Sequence, residues 1–283
     1  LKSGHVIDPA NGRNGRFDIA ITGDRIAAIG NSLPASHARL VVELSEYYVT
    51  PGLIDIHAHF DAQGAWLNLN PDHNTLRNGV TTAVDAGSSG WKNFEAFKSA
   101  VIGHAKVRLL AFLNIVGAGM YGSKVENDVA EMDPVAAARM VKKYPELIVG
   151  IKTAHFQPAT WDAVDRAVKA GELSGTPVMV DFHPKPGRGY EELILKHMRP
   201  GDIHTHFLGR LTPQLDGSKK VQPYMWQARK RGVLFDVGHG SGSFWFRNAV
   251  PAYRDGFPPD SISTDLHMGN INGPVISMIH TMN

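Results

Sequence analysis

The stretch from Gly52 to Phe60 reads GLIDIHAHF. It begins as an apolar β-strand pattern and ends with His57 and His59, two residues apart. Because successive side chains of a strand alternate between its two faces, both imidazoles leave the strand on the same side. Imidazole is the commonest metal ligand among side chains, so the pair predicts a metal site at a strand end. The alternative is a pair of partly exposed histidines with no metal.

The chain after Pro51 repeats a pattern of strand, loop and helix. Eight apolar or β-branched runs predict strands: GLIDIH, VTTAVDAG, VRLLAFLN, LIVGIK, PVMVDFH, GDIHTH, GVLFDVG and SISTD. Helical patterns separate many of them, such as WKNFEAFKSAVIG, DPVAAARMVKKYPE, TWDAVDRAVKAGELSG and KKVQPYMWQARKRG. Eight alternations predict an α/β fold, a parallel (β/α)₈ TIM-like barrel over residues 51–283. An open doubly wound sheet is the alternative, although no glycine-rich phosphate loop follows any strand.

The segment before Pro51 has a different pattern. Short apolar runs alternate with Asn-Gly, Gly-Arg and Gly-Asp turn signals, which predict small antiparallel strands. We therefore expect a small β-rich subdomain over residues 1–50. The chain starts at Leu1 without Met and stops in mid-pattern, so we expect further residues at both ends, the later ones completing this subdomain.

The composition narrows the function classes. The 283 residues are 43% hydrophobic, carry a formal net charge of +2 and include no cysteine. Scattered basic residues give no nucleic-acid or membrane footprint, and the absence of cysteine excludes disulfides and thiolate ligands. We expect a soluble protein with a small-molecule substrate and no nucleic-acid or membrane partner. It would be cytoplasmic or, with a leader ahead of Leu1, periplasmic or secreted.

Polar side chains stand at the carboxyl ends of almost all the predicted strands. They are His57, His59, Asp85, Asn114, Lys152, Asp181, His183, His204, His206, Asp236, His239 and Asp265. Barrels of this kind carry their chemistry at that end, and burying such groups unpaired is costly. We therefore expect them to converge on one mouth that binds metal.

Lys152 ends the apolar run LIVGIK, where its neighbours should be buried. One interpretation is a lysine in a salt bridge. The other is an amine kept neutral by desolvation, which reacts with carbon dioxide to form a carbamate. A carbamate has two oxygens and can bridge two cations.

Five motifs occur in order along the chain: GLIDIHAHF, GIKTA, GDIHTHF, FDVGHGSGSF and SISTDLH. They resemble the strand-end motifs of the amidohydrolase superfamily, in particular its dihydroorotase-like and D-aminoacylase-like deacetylase branch. The resemblance implies a binuclear site, usually zinc. In that site His57 and His59 bind the first metal, Lys152 bridges both as a carbamate, and His206 binds the second. It further implies that Asp265 contacts the first metal and acts in catalysis, and that His239 lies near the substrate.

One position departs from the family pattern, which usually supplies a histidine from the fifth strand. In TPVMVDFHP that position is Asp181, and His183 follows two residues later on the same face. Asp181 is the preferred ligand by register, because carboxylate binds zinc acceptably, and His183 is its rival. His204 is expected in the core or behind the ligands.

The resemblance implies that a hydroxide bridging two divalent ions attacks an amide or ester, with Asp265 as general base and then acid. N-acyl amino acids or acylated hydroxy acids would be the substrates, and the chain would be a deacetylase. A cyclic amide hydrolase like dihydroorotase or hydantoinase is the alternative enzyme. A catalytically inactive barrel that serves as a binding module is the alternative from another class. Barrels of this family commonly self-associate, so a homo-oligomer is compatible with the resemblance.

Overall fold

The computed structural model describes residues 1–60, 67 and 69–283. The chain divides into two units, Leu1–Leu53 and Ile54–Asn283. Within the described residues, no helix is both long enough and apolar enough to cross a membrane. The candidate site lies entirely in the second unit, so the first is described briefly.

The first unit is built on a four-stranded sheet in the order β3-β2-β1-β4. The strands are β1 (Gly4–Asp8), β2 (Arg13–Thr22), β3 (Arg25–Gly30) and β4 (Tyr48–Val49). β2 pairs antiparallel with β1 and β3, whereas β4 pairs parallel with β1. Buried Asp18 accepts the backbone N–H groups of Ser3 and Leu33, each at 2.9 Å, and the ammonium of Lys2. The predicted β-rich character is confirmed.

The second unit contains a seven-stranded sheet in sequential order from β5 to β11. From β6 onward each strand pairs parallel with the next. The strands are β5 (Leu53–Ala58), β6 (Val80–Gly90), β7 (Arg108–Asn114), β8 (Ile148–Thr153), β9 (Val178–Val180), β10 (Ile203–His204) and β11 (Leu234–Phe235). This is the strand order that a (β/α)₈ barrel requires.

The segment 261–266, predicted as the eighth strand, joins the two edges of this sheet. Parallel bridges connect Asp236 with Ser261 on one side and Ala58 with Leu266 on the other. The backbone N–H of Asp265 also donates to the carbonyl of His57, at 2.6 Å. The segment thus occupies the eighth position and closes the barrel, which confirms the predicted fold class.

Helices follow the strands. The described α-helices are α1 (Pro71–Thr75), α2 (Phe94–Ala100), α3 (Ser123–Glu126), α4 (Pro134–Lys143), α5 (Asp162–Ser174), α6 (Tyr190–Glu192), α7 (Pro223–Lys230), α8 (Phe246–Arg254) and α9 (Met278–Met282). A π-helical turn, Leu193–His197, continues α6. The side chain of Asp133 caps α4 by accepting the N–H groups of Val135 and Ala136. The four helices predicted from sequence correspond to α2, α4, α5 and α7.

Several predicted strands are shorter in the structure, because the chain leaves the ladder where the polar side chains begin. β10 ends at His204, two residues before His206, which has a φ of 62°. Asp265 has a φ of 50°. Left-handed backbone at residues other than glycine is uncommon and turns the side chain out of the strand's alternation. These breaks aim side chains into the barrel mouth.

Candidate metal centre

Three donor side chains meet at the carboxyl end of the barrel, and we call them the first cluster: His57, His59 and Asp265. Oδ1 of Asp265 lies 3.4 Å from Nε2 of His57 and 3.2 Å from Nε2 of His59. In the described part of the chain, this is the one group of three potential ligands whose donor atoms all lie within 4.8 Å of one another. Strand β5 positions the two histidines, and the Asp265 N–H bond to the carbonyl of His57 fixes the third member.

The imidazole of His57 is oriented by a relay behind it. Its Nδ1 lies 3.0 Å from the hydroxyl of Thr205, and that hydroxyl donates to Oδ2 of Asp236 at 2.8 Å. Asp236 is fixed in turn by hydroxyl donors from Ser261 and Ser263, each at 2.6 Å. Since the Thr205 proton points to Asp236, Nδ1 of His57 must be the protonated nitrogen. Nε2 therefore presents its lone pair to the cavity, as a metal ligand requires.

His59 has a shorter relay. Its Nδ1 lies 2.9 Å from the hydroxyl of Ser88. The Ser88 backbone is held by Asp85, whose carboxylate accepts the N–H groups of Ser88 and Phe60, each at 2.8 Å. Asp85 thus ties the end of β6 to the end of β5 and places the hydroxyl that orients His59.

Lys152 lies beside the first cluster and is 1% exposed. Its Nζ is 3.1 Å from Nε2 of His57 and 3.6 Å from the sulfur of Met179. Among the described residues, no carboxylate forms an ion pair with it within 4.0 Å, which disfavours the salt-bridge interpretation. Burial lowers the pKa of Lys152 although nearby carboxylates oppose the shift. A side chain at Gly87 would collide with its stem at 2.7 Å, so a glycine there admits the lysine.

A second cluster lies across Lys152 and comprises Asp181, His206 and His155. Oδ2 of Asp181 is 3.9 Å from Nε2 of His206 and 3.5 Å from Nε2 of His155. Oδ1 of Asp181 is buried and has no hydrogen-bond partner among the described residues. Burial opposes the charged form of Asp181, but the charges of His206 and His155 outweigh it and lower its pKa. A buried carboxylate oxygen without a hydrogen-bond partner is costly, and a bound cation would satisfy it.

Both clusters and Lys152 line one cavity of about 50 Å³. The residues around it are His57, His59, Leu67, Met120, Lys152, His155, Asp181, His206, Asp265 and His267. His155 and His267 were not among the residues singled out from sequence. His155 stands three residues beyond the expected strand end, and His267 follows the SISTD motif by two residues, so spacing alone did not separate them from ordinary loop histidines.

Not all of the predicted strand-end residues reach this cavity. Asp85 and Asp236 support the histidines from behind, and Asn114 bonds the Gly87 carbonyl and the Val116 N–H. The expectation that all these groups converge on one mouth is therefore wrong for these three, because backbone amides and neighbouring hydroxyls use their hydrogen-bonding capacity. His204 is fully buried beside the Val180 carbonyl, at 3.2 Å, in the core position expected for it.

His183 and His239 lie outside the small cavity. The side chain of His183 is 48% exposed, and its Nε2 is 3.9 Å from Oδ1 of Asp181. His239 stacks on Phe244 with ring centroids 5.1 Å apart, and both line a neighbouring apolar cavity of about 1220 Å³. Gly240 also lines this larger cavity and lies against Asp265 of the first cluster, since a Cβ at Gly240 would be 2.5 Å from Oδ2 of Asp265.

Known proteins resemble this chain over most of its length. No family model matches the chain. A deacetylase of Agrobacterium fabrum is 32% identical over 274 residues, covering 94% of this chain and 67% of the relative. A deacetylase of Enterococcus faecalis is 32% identical over 276 residues, covering 94% of this chain and 73% of the relative.

The chain belongs to the amidohydrolase superfamily.

Solved structures of this superfamily match the fold. A dihydroorotase superposes with a TM-score of 0.85 at 29% identity, covering 100% of this chain and 76% of that one. An adenine deaminase superposes with a TM-score of 0.84 at 27% identity, covering 99% and 76%. The chain is therefore a hydrolase of the deacetylase-like and dihydroorotase-like branch, whose members depend on metal. It spans 65–73% of the length of the curated deacetylases that it matches.

Proposed function

We propose that this chain removes the acyl group from a small N-acyl amino acid or acylated hydroxy acid, using two divalent ions at the carboxyl end of its barrel. One observation carries the proposal: a fully buried lysine without a carboxylate partner lies 3.1 Å from the first cluster of metal donors. The curated relatives over most of the chain bear the name deacetylase, which supports this substrate class.

The donor set suits zinc. Two neutral imidazoles and a carboxylate in the first cluster are ordinary zinc ligands, and Asp181 and His206 offer a second set. Burial holds the pKa of His57 well below its usual range, so this imidazole stays neutral. The same burial favours the neutral amine of Lys152, the form that carbon dioxide converts to a carbamate. We propose His57, His59 and Asp265 for one ion, His206 and Asp181 for the other, and Lys152 between them.

When bound, two such ions activate a water at neutral pH and polarise the scissile carbonyl. The chain itself must then move one proton. The carboxylate of Asp265 takes it as the water oxygen adds to the carbonyl carbon, and returns it to the leaving nitrogen or oxygen as that bond breaks. The products are a carboxylic acid, which releases its remaining proton to solvent at neutral pH, and the free amine or alcohol. Asp265 suits this role because its Oδ1 faces the two histidines, while its Oδ2 lies against Gly240 in the loop that carries His239.

The rest of the substrate would lie along that loop. His239 and Phe244 present a stacked pair of rings in the cavity of about 1220 Å³, which has room for an amino-acid or aryl side chain. We propose that His239 contacts this part of the substrate. A small-molecule substrate is common to the enzymes that this chain resembles.

Elemental analysis of protein expressed with bicarbonate, followed by a substrate screen, tests the proposal. We expect two ions per chain, mostly zinc, and turnover of N-acetyl amino acids or acyl esters. Dihydroorotate should be assayed beside them, because the dihydroorotase superposition favours a cyclic amide as the second candidate. A protein that binds two ions and opens only cyclic amides would reject deacylation in favour of that candidate. A protein that binds none, even after metal is added back, would contradict both.

A further inference from the structure

The backbone sets His155 apart from other loop histidines. It follows β8 and has a φ of 58°. Six described residues other than glycine have positive φ, and three of them, His155, His206 and Asp265, line the cavity of about 50 Å³. Such conformations cost free energy and concentrate at functional sites, where the surroundings hold them. His155 therefore shares its backbone signature with two residues that the metal proposal already uses.

A buried carboxylate fixes the ring of His155. Its Nδ1 lies 2.6 Å from Oε2 of Glu126, which is 3% exposed, and Oε1 of Glu126 accepts the N–H of Gly122 at 2.9 Å. An ionised carboxylate only accepts, so Nδ1 of His155 carries the proton. Nε2 is left as the nitrogen that faces the cavity. A histidine held by a carboxylate on its far side is the usual arrangement behind a metal-bound imidazole.

That nitrogen points at the second cluster. Nε2 of His155 lies 3.5 Å from Oδ2 of Asp181, and Nε2 of His206 lies 3.9 Å from the same oxygen. Ligands of a tetrahedral zinc at roughly 2.0–2.2 Å from the ion lie about 3.4 Å from one another. Asp181 thus has a nitrogen donor at ligand spacing on one side and a slightly more distant one on the other. The two nitrogens lie more than 4.8 Å from each other, so a shared ion would have to draw them together. Its remaining oxygen, Oδ1, has no described hydrogen-bond partner.

In the part of the chain that the structure describes, His183, the alternative ligand suggested by strand register, has no buried carboxylate behind its ring as His155 has. Its side chain is 48% exposed and its Nε2 is 3.9 Å from Oδ1 of Asp181. Among the described residues, no carboxylate other than Asp181 lies within ion-pair distance of its ring. A strand that carries Asp181 in place of a histidine leaves the second ion short of one nitrogen, and the loop after β8 can supply it.

We propose that His155 is a ligand of the second metal ion, together with Asp181 and His206, and that Glu126 is the positioning residue that holds its ring. This inference rests on the two-metal site of the proposed function. It adds a ligand from the loop after β8 and removes His183 from the set.

Metal affinity, measured without substrate, tests it. Apoprotein of each variant is titrated with Zn²⁺ against a chromophoric chelator, and the Co²⁺-substituted protein is followed by its visible absorption. Loss of a residue that only hydrogen-bonds a metal ligand typically weakens metal binding by about 10–100-fold. His155→Ala and His155→Gln remove a ligand itself, so each should weaken the binding of one ion by at least that much. Each should also alter the cobalt absorption bands. Glu126→Gln should weaken the same ion by about 10-fold. The other ion should stay bound as in the wild type.

The chain offers a matched control in His197. Its Nδ1 pairs with Asp165 at the same 2.6 Å, but the pair lies outside the cavity, so His197→Ala should leave both affinities unchanged. The Gln variant at 155 keeps a donor for Glu126, and thermal unfolding confirms that each variant is folded. Restoration of the second ion in His155→Gly by added imidazole would support ligation directly.

Two results would overturn the inference: His155 variants that bind both ions within twofold of wild type, or a His183→Ala variant that loses the ion while His155→Ala retains it. These results are independent of turnover. A wild type that binds two ions but hydrolyses no acyl substrate would refute the proposed function and leave the ligand assignment standing.

Discussion

The first and second clusters hold their donors in different ways. In the first, His57 and His59 come from β5 or its end, and the backbone of Asp265 is hydrogen-bonded to β5. The exposed fractions of these side chains are 1% for His57, 4% for His59 and 15% for Asp265. In the second, His155 and His206 lie on left-handed turns beyond the strands, and the His155 side chain is 41% exposed. Strand β5 and burial thus fix the first cluster, whereas the histidines of the second depend on turns beyond the strands and, for His155, on the bond to Glu126.

This difference has a consequence for the metal ions. A rigid donor set loses little conformational entropy on binding, whereas a looser set must be ordered by the ion. We therefore expect the first cluster to bind its ion more tightly, and dialysis against chelator to remove one ion before the other. The variants that follow test how far the two sites are independent.

Replacement of Lys152, which lies between the clusters, should have the largest effect. Lys152→Met nearly keeps the side-chain volume but cannot form a carbamate, so in the proposed site both ions would lose a shared ligand. On the proposed two-ion site, we expect metal content to fall to about half and kcat/KM to fall on the order of 10³-fold, since several kcal/mol of charge stabilisation is lost. Lys152→Ala gives the complementary experiment: we expect an added short carboxylic acid to occupy the vacated space and restore part of the activity. Turnover near the wild-type rate in Lys152→Met would exclude the bridging role.

Asp265→Asn should follow in magnitude. The amide keeps the shape and its contact with His59 but cannot take the proton, and general acid–base catalysis is worth about 10²–10⁴-fold in kcat. The loss should shrink for activated esters, whose leaving groups need no proton. Comparing an N-acetyl amino acid with a nitrophenyl ester measures this, and an equal loss for both substrates would show that Asp265 serves only to hold metal.

The sequence predicted the first cluster and missed part of the second, for physical reasons. A strand's period of two places His57 and His59 on one face whatever the remainder of the chain does. The resemblance to the amidohydrolase superfamily added Asp265, and closure of the barrel brings it beside the two histidines. His155 has no such constraint, because its position depends on a left-handed turn and on Glu126, 29 residues earlier in the chain. Sequence spacing reveals neither the turn nor the contact with Glu126, so it does not distinguish His155 from the other histidines among the fourteen.

The sequence also could not predict which side chains surround Lys152. The run LIVGIK predicted a buried lysine, but whether a carboxylate paired with it depended on which strand ends faced it. Asp85 and Asp236 stood at the expected ends, yet both are occupied with backbone amides or hydroxyls. Their roles as supports for His57 and His59 follow only from three-dimensional hydrogen bonds.

Thr205→Val tests whether the relay behind His57 matters to the first cluster. The change keeps the branched shape and removes the hydroxyl, so Nδ1 of His57 loses its acceptor and the tautomer is no longer fixed. We expect the affinity of the more tightly bound ion to fall by about 10–100-fold. Ser261→Ala is the matched control, because it removes a hydroxyl from the same Asp236 carboxylate, at 2.6 Å, without touching His57. Equal losses in the two variants would assign the effect to Asp236 and not to the orientation of His57.

Ser88→Ala should have the smallest effect of the series. The Ser88 hydroxyl orients His59, as Thr205 orients His57, but among the described residues no carboxylate fixes that hydroxyl in turn. A neutral hydroxyl that can rotate adds less to the basicity of the imidazole than one anchored on Asp236. We expect the ion of the first cluster to weaken by about tenfold or less, at the low end of the range for outer partners, as measured by chelator competition. A loss as large as that of Thr205→Val would mean that the anchoring carboxylate behind Thr205 adds nothing, and that either hydroxyl orients its histidine equally well.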